Sequence, residues 1–212
     1  MRTRLALPIL FLALLSLATV RVRPTEAWDQ PFRLTSATIQ NDTMIPSSLV
    51  FNSELGSVCT GGNQSPELSW TDPPRGTKSF VFVVFDKTAG FTHWGVYNIH
   101  LSTTQLAANA GSNGSETTSF GDQIVNDAGL FGYTGPCPPS GLVHHYQFTV
   151  YALDVDHIDL HPSPAPFFAD AETLYRAMFD HVLGSASITD PFSCPADSTP
   201  TATTPTPTGT CS

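Results

Sequence analysis

The residue pattern predicts a mostly β protein, an antiparallel β sandwich carrying one or two peripheral helices. Three observations lead there. The run Ser79-Phe-Val-Phe-Val-Val-Phe-Asp86 is almost wholly apolar and built of β-branched and aromatic residues, the pattern of a strand buried on both faces. His145–Asp154 alternates, placing Tyr146, Phe148, Val150 and Ala152 on one face. Between such runs lie long loops rich in Gly, Pro, Asn and Ser.

The elements follow in chain order. Residues 1–27 read as a secretory signal: Arg2 and Arg4 form a positive start, and Leu5–Val20 is apolar but broken by Pro8, Ser16 and Thr19. The run of about 16 residues is short of the roughly 20 that a spanning helix needs, which favours cleavage after Ala27 over an uncleaved anchor. The domain is expected over 28–193. Within it, Ser79–Asp86 is the first clear strand and His93–His100 the second, followed by His145–Asp154. One helix is expected over Ala171–Leu183. Asp170 is its N-cap, Leu174, Met178 and Val182 form its apolar stripe, and Gly184 is its stop. Residues 194–212 hold seven threonines and four prolines with no apolar periodicity, and read as an extended, disordered tail.

Charge narrows the partners. Charged residues are only 13% of the chain. Removal of 1–27 would leave five basic and seventeen acidic residues, a net charge of −12. Such a surface repels phosphate backbones and anionic lipid surfaces, which argues against nucleic acid as a partner. No segment after the N-terminal run is apolar enough to span a membrane.

The chain has four cysteines, Cys59, Cys137, Cys194 and Cys211. In an exported chain they suggest disulfides and an extracytoplasmic home. Three pairings are open. Cys59–Cys137 is favoured because both residues lie in glycine-rich loops of the domain. Cys194 and Cys211 would then close the tail, unless Cys211 stays free or pairs with another chain. No Cys-x-x-Cys or His-x-x-x-His spacing points to a metal, and no cofactor motif occurs. Sequons stand at Asn41, Asn63 and Asn113.

Four polar residues border the apolar strands. Asp86 closes the most apolar strand, where a carboxylate has to be solvated or hydrogen-bonded. His93 follows seven residues later, and a connection so short implies an antiparallel pair that brings Asp86 and His93 together. His144 and Tyr146, two apart at a strand start, share a face. Before them runs Phe131-Gly-Tyr-Thr-Gly-Pro-Cys-Pro-Pro-Ser-Gly141, a stiff loop in which Pro138 and Pro139 would form an apolar rim. The bland alternatives are surface histidines, a connecting loop and a turn aspartate. No Gly-x-Ser-x-Gly elbow supports a hydrolase.

These residues, with Asn63-Gln-Ser-Pro-Glu-Leu-Ser-Trp70, Pro74-Arg-Gly-Thr-Lys-Ser-Phe80, His93-Trp94 with Asn98, and His144-His-Tyr146, resemble the phosphatidylethanolamine-binding proteins, in particular their bacterial and archaeal Raf-kinase-inhibitor-like branch. The resemblance covers about Phe32 to Phe192. It implies a large and a small antiparallel sheet with few helices, and a pocket for phosphate-like anions such as phospholipid headgroups. Asp86, His93, Pro138, Pro139, His144 and Tyr146 fall on the motif positions that line that pocket. Two departures stand out. The family's Asp-Pro-Asp-Ala-Pro segment reads Asp86-Lys-Thr-Ala-Gly90, which removes a carboxylate and two stiffening prolines, and the family arginine is His145. The expectation is a secreted binding protein in which His93, His144 and the Tyr146 hydroxyl donate to an anion while Asp86 orients a histidine. An acid–base enzyme using the same pocket, and a protease-inhibitor or other protein-interaction module, are the alternatives.

Overall fold

The structure is a computed structural model and describes residues 30–52, 59–160 and 169–194. The signal-like segment 1–27, the tail beyond Cys194 and Cys211 lie outside the described residues.

Two antiparallel sheets pack face to face. The small sheet orders β1 (Arg33–Thr35), β2 (Leu68–Thr71) and β5 (Gln105–Leu106) as β1-β2-β5. The large sheet takes β3 (Ser79–Asp86), β4 (Phe91–His100), β6 (Asp122–Gln123), β7 (Val143–Leu153) and β8 (Val182–Ser193) in the order β6-β4-β3-β7-β8. The mostly β sandwich with a large and a small sheet is therefore correct, with one short helix, α1 (Ala171–Met178), among the described residues.

β3 is central, and every residue in it except Phe85 is buried. Its two faces feed two apolar clusters. Phe80, Phe82 and Val84 pack toward the small sheet with Trp70, Trp94, Phe148 and Val150. Val81 and Val83 pack on the other side with Tyr97, Ile124, Leu174 and Met178, under the helix. Only a strand covered on both sides can carry so unbroken an apolar run. On β7 the alternation works as read: Tyr146, Phe148, Val150 and Ala152 all join the inter-sheet cluster.

The Asn63–Trp70 motif ties these layers together. Ser65 Oγ accepts from Gly111 N at 2.9 Å. The Glu67 carboxylate accepts from the amides of Ala37 and Thr38 and from the Ser36 and Thr38 hydroxyls, latching the turn after β1. Leu68 and Trp70 point into the core.

One element differs from the sequence reading. The helix begins where expected, with Asp170 Oδ1 accepting from Thr173 N at 2.9 Å, but it ends at Met178 and not at Leu183. A 3-10 turn covers Phe179–His181, and Val182–Ser193 is a twelve-residue strand at the edge of the large sheet. Val182 and Gly184 therefore belong to β8, neither to the helical stripe nor to its stop. Continuous pairing with β7, from Leu153↔Val182 to Val143↔Ser193, outweighs local helix propensity there. Pro191 is tolerated because one side of an edge strand needs no donor. The alternation Ala186, Ile188, Phe192 marks the inward face, but Asp190 interrupts it as a carboxylate with no exposed surface.

Asp190 Oδ1 accepts a long bond from Thr43 N, 3.4 Å, and Oδ2 has no partner. Burial pushes this carboxyl up to about 6, against the Thr43 and Gln40 amides, which lower it. A carboxyl raised on folding stabilises the protein below its unfolded value and costs stability as pH climbs through the folded one. Asp190→Asn should therefore raise stability at pH 7.5 by on the order of 2 kcal/mol, with the gain gone below about pH 4. Thermal melts of both proteins across that range check this, and a gain independent of pH would contradict it.

Candidate functional site

The site lies at the end of the large sheet where β3 turns into β4. The hairpin is tight. Asp86 faces Phe91 across the ladder, Gly90 N donates to Asp86 O at 2.8 Å, and Gly90 adopts the left-handed φ of 69° that closes the turn. Asp86 Oδ1 accepts from the Thr88 and Ala89 amides at 2.8 and 3.0 Å, and Thr88 Oγ1 accepts from His145 N at 3.0 Å. The turn that lacks the family prolines is thus stiffened by hydrogen bonds.

Asp86, 2% exposed, uses its second oxygen on a histidine, but on His144 rather than on the expected His93. His144 Nδ1 lies 2.6 Å from Asp86 Oδ2. The ladder explains the exchange. Val84 pairs with Trp94 and Phe85 with Thr92, so His93 is the extra residue of a β-bulge. A bulge re-aims its side chain, and His93 Nδ1 bonds to Thr134 O at 2.6 Å. Asp86 and His93 still share one pocket, and His93 feels the Asp86 charge.

Aromatic contacts lock the rings. The His93 centroid is 5.2 Å from Tyr146, edge to face, and 4.8 Å from Phe91, while His144 stacks on Tyr146 at 6.3 Å. Burial pushes the Tyr146 phenol well up, and the charge and hydrogen bond of Asp86 add to that, so the hydroxyl stays protonated. Burial also works against ionisation of Asp86, but the bond from His144, the Ala89 and Thr88 amides and the charge of His144 together hold its carboxyl below the usual range. His93 moves the other way: burial lowers it, only partly opposed by the Thr134 carbonyl and the charges of Asp86 and Asp127, and the charge of His144 lowers it further. Asp86 is therefore an anion and His93 a neutral ring at pH 7.

The opposite wall is the loop through Thr134 to Pro139. Thr134 N donates to His93 O at 3.0 Å, Asn63 Oδ1 accepts from Gly135 N at 2.8 Å, and Phe51 N donates to Pro136 O at 3.1 Å. Gly135 has no room for a side chain, since a Cβ there would sit 2.2 Å from Leu49 O. Cys137 is bonded to Cys59, the pairing favoured from the sequence, and Cys59 Sγ lies 3.5 Å from Cys194 Sγ. Cys194 is not free; Cys211, its expected mate, is outside the described residues.

The result is a pocket of about 460 Å³. Asp86, His93, Pro138, Pro139, His144 and Tyr146 all line it, so the structure brings together every residue singled out for it. Phe51, Ala89, Phe91, Ala128, Thr134, Gly135 and Cys137 complete the walls. Phe91 could have been found, since it stands two residues before His93 on the same strand, and Thr134, Gly135 and Cys137 stand in the loop already singled out. Phe51 carried no local signal. Among the described residues no group of three or more His, Cys, Asp or Glu is arranged to hold a metal ion.

Fold and site define a β-sandwich protein with a histidine-lined pocket at one sheet end. Comparison with known proteins places it further. The family model for phosphatidylethanolamine-binding protein matches residues 35–193. The Escherichia coli UPF0098 protein YbhB is 38% identical over 165 residues, covering 76% of this chain and 99% of the relative. The E. coli UPF0098 protein YbcL is 41% identical over 133 residues, 60% of this chain and 71% of the relative. The crystal structure of YbcL, titled a new member of the mammalian PEBP family, superposes with a TM-score of 0.66 at 33% identity over 77% of this chain and 99% of that one. The chain belongs to the phosphatidylethanolamine-binding protein family.

The disulfide bridges positions separated by 78 residues and anchors a pocket wall. Replacing Cys59 and Cys137 together by Ser should lower unfolding free energy by about 2–4 kcal/mol and speed amide exchange in the 133–139 loop. Urea denaturation and exchange mass spectrometry read both, and an unchanged midpoint would count against an anchoring role.

Proposed function

We propose that this protein is a secreted binding protein whose pocket takes a small phosphate-like anion, either free or as a phospholipid headgroup. The observation that carries the reading is the convergence of two imidazoles on one small, apolar-walled hollow. Each ring gives Nδ1 to the protein, His93 to a carbonyl and His144 to a carboxylate, and Nε2 of each is left for a ligand. Pro138, Pro139, Phe51 and Phe91 exclude water around them, which strengthens any bond made inside.

Magnitudes set the affinity class. Charge-assisted hydrogen bonds contribute about 1.5–3 kcal/mol each, so the few polar bonds this pocket can make give millimolar or weaker binding for a small ion. A net charge of −12 after loss of 1–27 would disfavour large polyanions and leave small ones as the accessible class. Tyr146, whose hydroxyl burial and the Asp86 charge keep protonated, is the third donor of this reading.

Export is supported by the signal-like composition of 1–27 and by the Cys59–Cys137 disulfide, which persists in oxidising compartments and is rare in reducing ones. Among the described residues no helix is long and apolar enough to cross a membrane.

Titration with inorganic phosphate and, separately, with phosphoethanolamine at pH 6, followed by the His93 and His144 ring signals in NMR, tests the reading. Saturable shifts with a millimolar midpoint are expected, lost when both residues are changed to Ala. Absence of any shift in these rings at high ligand would end it.

A further inference from the structure

The hydrogen bonds that fix the two imidazoles also fix what they can offer. A backbone carbonyl only accepts, so the 2.6 Å contact from His93 Nδ1 to Thr134 O requires the proton on Nδ1. Asp86 is ionised and likewise only accepts, so the 2.6 Å contact from His144 Nδ1 requires a proton there. A neutral imidazole carries one N–H. With that N–H turned into the protein, Nε2 of each ring presents a lone pair to the pocket. Where both rings are neutral, the ring nitrogens facing the ligand are acceptors, and an oxyanion placed between them meets lone pairs, not donors. His93 is 6% exposed and Asp86 2% exposed, so little water is at hand to mediate.

One added proton turns one of the two acceptors into a donor, and the geometry says which. His144 has a carboxylate directly behind it, so a second proton on its ring makes an imidazolium already paired with Asp86. His93 has only a carbonyl behind it and loses more of its hydration. The other titratable groups around His144 are Asp86 on β3, His93 on β4 and Tyr146 on β7, with Asp190 on β8 beside Tyr146, while Asp127 in the loop after β6 acts on His93. Among the described residues Asp86 alone contacts the ring as an anion.

We propose that each oxyanion bound in this pocket is accompanied by one proton, taken from solvent onto Nε2 of His144, so that binding is set by pH. The inference rests on the anion-pocket reading above and adds its regulation. The step is protonation of a neutral ring together with ligand entry, and no covalent bond to the ligand forms or breaks. His93 stays neutral, as an acceptor for a ligand or water proton. The pocket would fill in mildly acidic surroundings and empty in alkaline ones.

Sulfate is the probe, because it stays fully ionised across the range and brings no proton of its own. Calorimetric titration of the full chain at pH 5.5 to 8.5, in buffers of different ionisation heat, should return close to one proton taken up per sulfate at alkaline pH. The dissociation constant should rise about tenfold per pH unit there. His144→Gln should bind sulfate weakly and with a flat pH profile, while His93→Gln and Asp190→Asn should keep the one-proton linkage. Should His144→Gln fail to fold by thermal melt, long-range proton–nitrogen spectra of the natural protein at pH 8 read the same quantity: Nε2 of His144 should gain a proton on adding sulfate. Equal affinity at pH 6 and pH 8 with no proton uptake would overturn the proposal, as would linkage that survives in His144→Gln. Sulfate that perturbs no pocket resonance at any pH would instead remove the anion-pocket reading itself.

Discussion

Asp86 stands at the end of the central strand, which is covered on both faces, and its carboxylate has to be satisfied almost without water. The local chain supplies the first half of the answer: the turn that follows offers the Thr88 and Ala89 amides to Oδ1. The second half comes from β7, where the His144 ring meets Oδ2. Satisfying this one group closes the β3–β4 hairpin, fixes a histidine tautomer and joins three strands at the pocket. Removing the carboxylate would leave the two amides and the imidazole without their acceptor, and buried donors left unpaired are costly.

The facing wall obeys a different constraint, that of space. Gly135 packs so close to the Leu49–Phe51 backbone that no other residue fits, and Tyr133 Oη donates to Leu49 O at 3.0 Å behind it. Asn126 reaches the carbonyls of His93 and Gly132 and the Thr134 hydroxyl. The disulfide then pins the end of the segment. A loop without regular hydrogen bonds is thereby as constrained as the sheet it faces, which is what a pocket of fixed shape requires.

The departures from the family pattern read differently once these contacts are known. Loss of the prolines after Asp86 predicts a looser wall, yet Gly90 N, Thr88 N, Ala89 N and Thr88 Oγ1 all make bonds that tie the shortened turn down. Replacement of the family arginine by His145 falls on the face of β7 opposite His144 and Tyr146. Its backbone, by accepting from Lys87 N and donating to Thr88 Oγ1, is what secures the turn.

Periodicity alone determined the central strands. A run as apolar as Ser79–Asp86 has one stable environment, and the alternation along β7 already places His144 and Tyr146 on a common face. Composition likewise pointed to the Cys59–Cys137 pair, because both residues stand in loops that glycine and proline keep out of regular structure. The C-terminal strand was not legible in this way: Val182–Ser193 is rich in Ser and Thr with a carboxylate on its inner face, and it is a strand because β7 offers a complete ladder beside it. Nor was the partner of Asp86. Sequence distance favoured His93, seven residues on, but the bulge in β4 turns that ring to Thr134 and leaves the carboxylate to a histidine 58 positions away. Local patterns register which way a side chain faces; which groups meet across strands depends on register and bulges, and those are settled by the packing of the whole sheet.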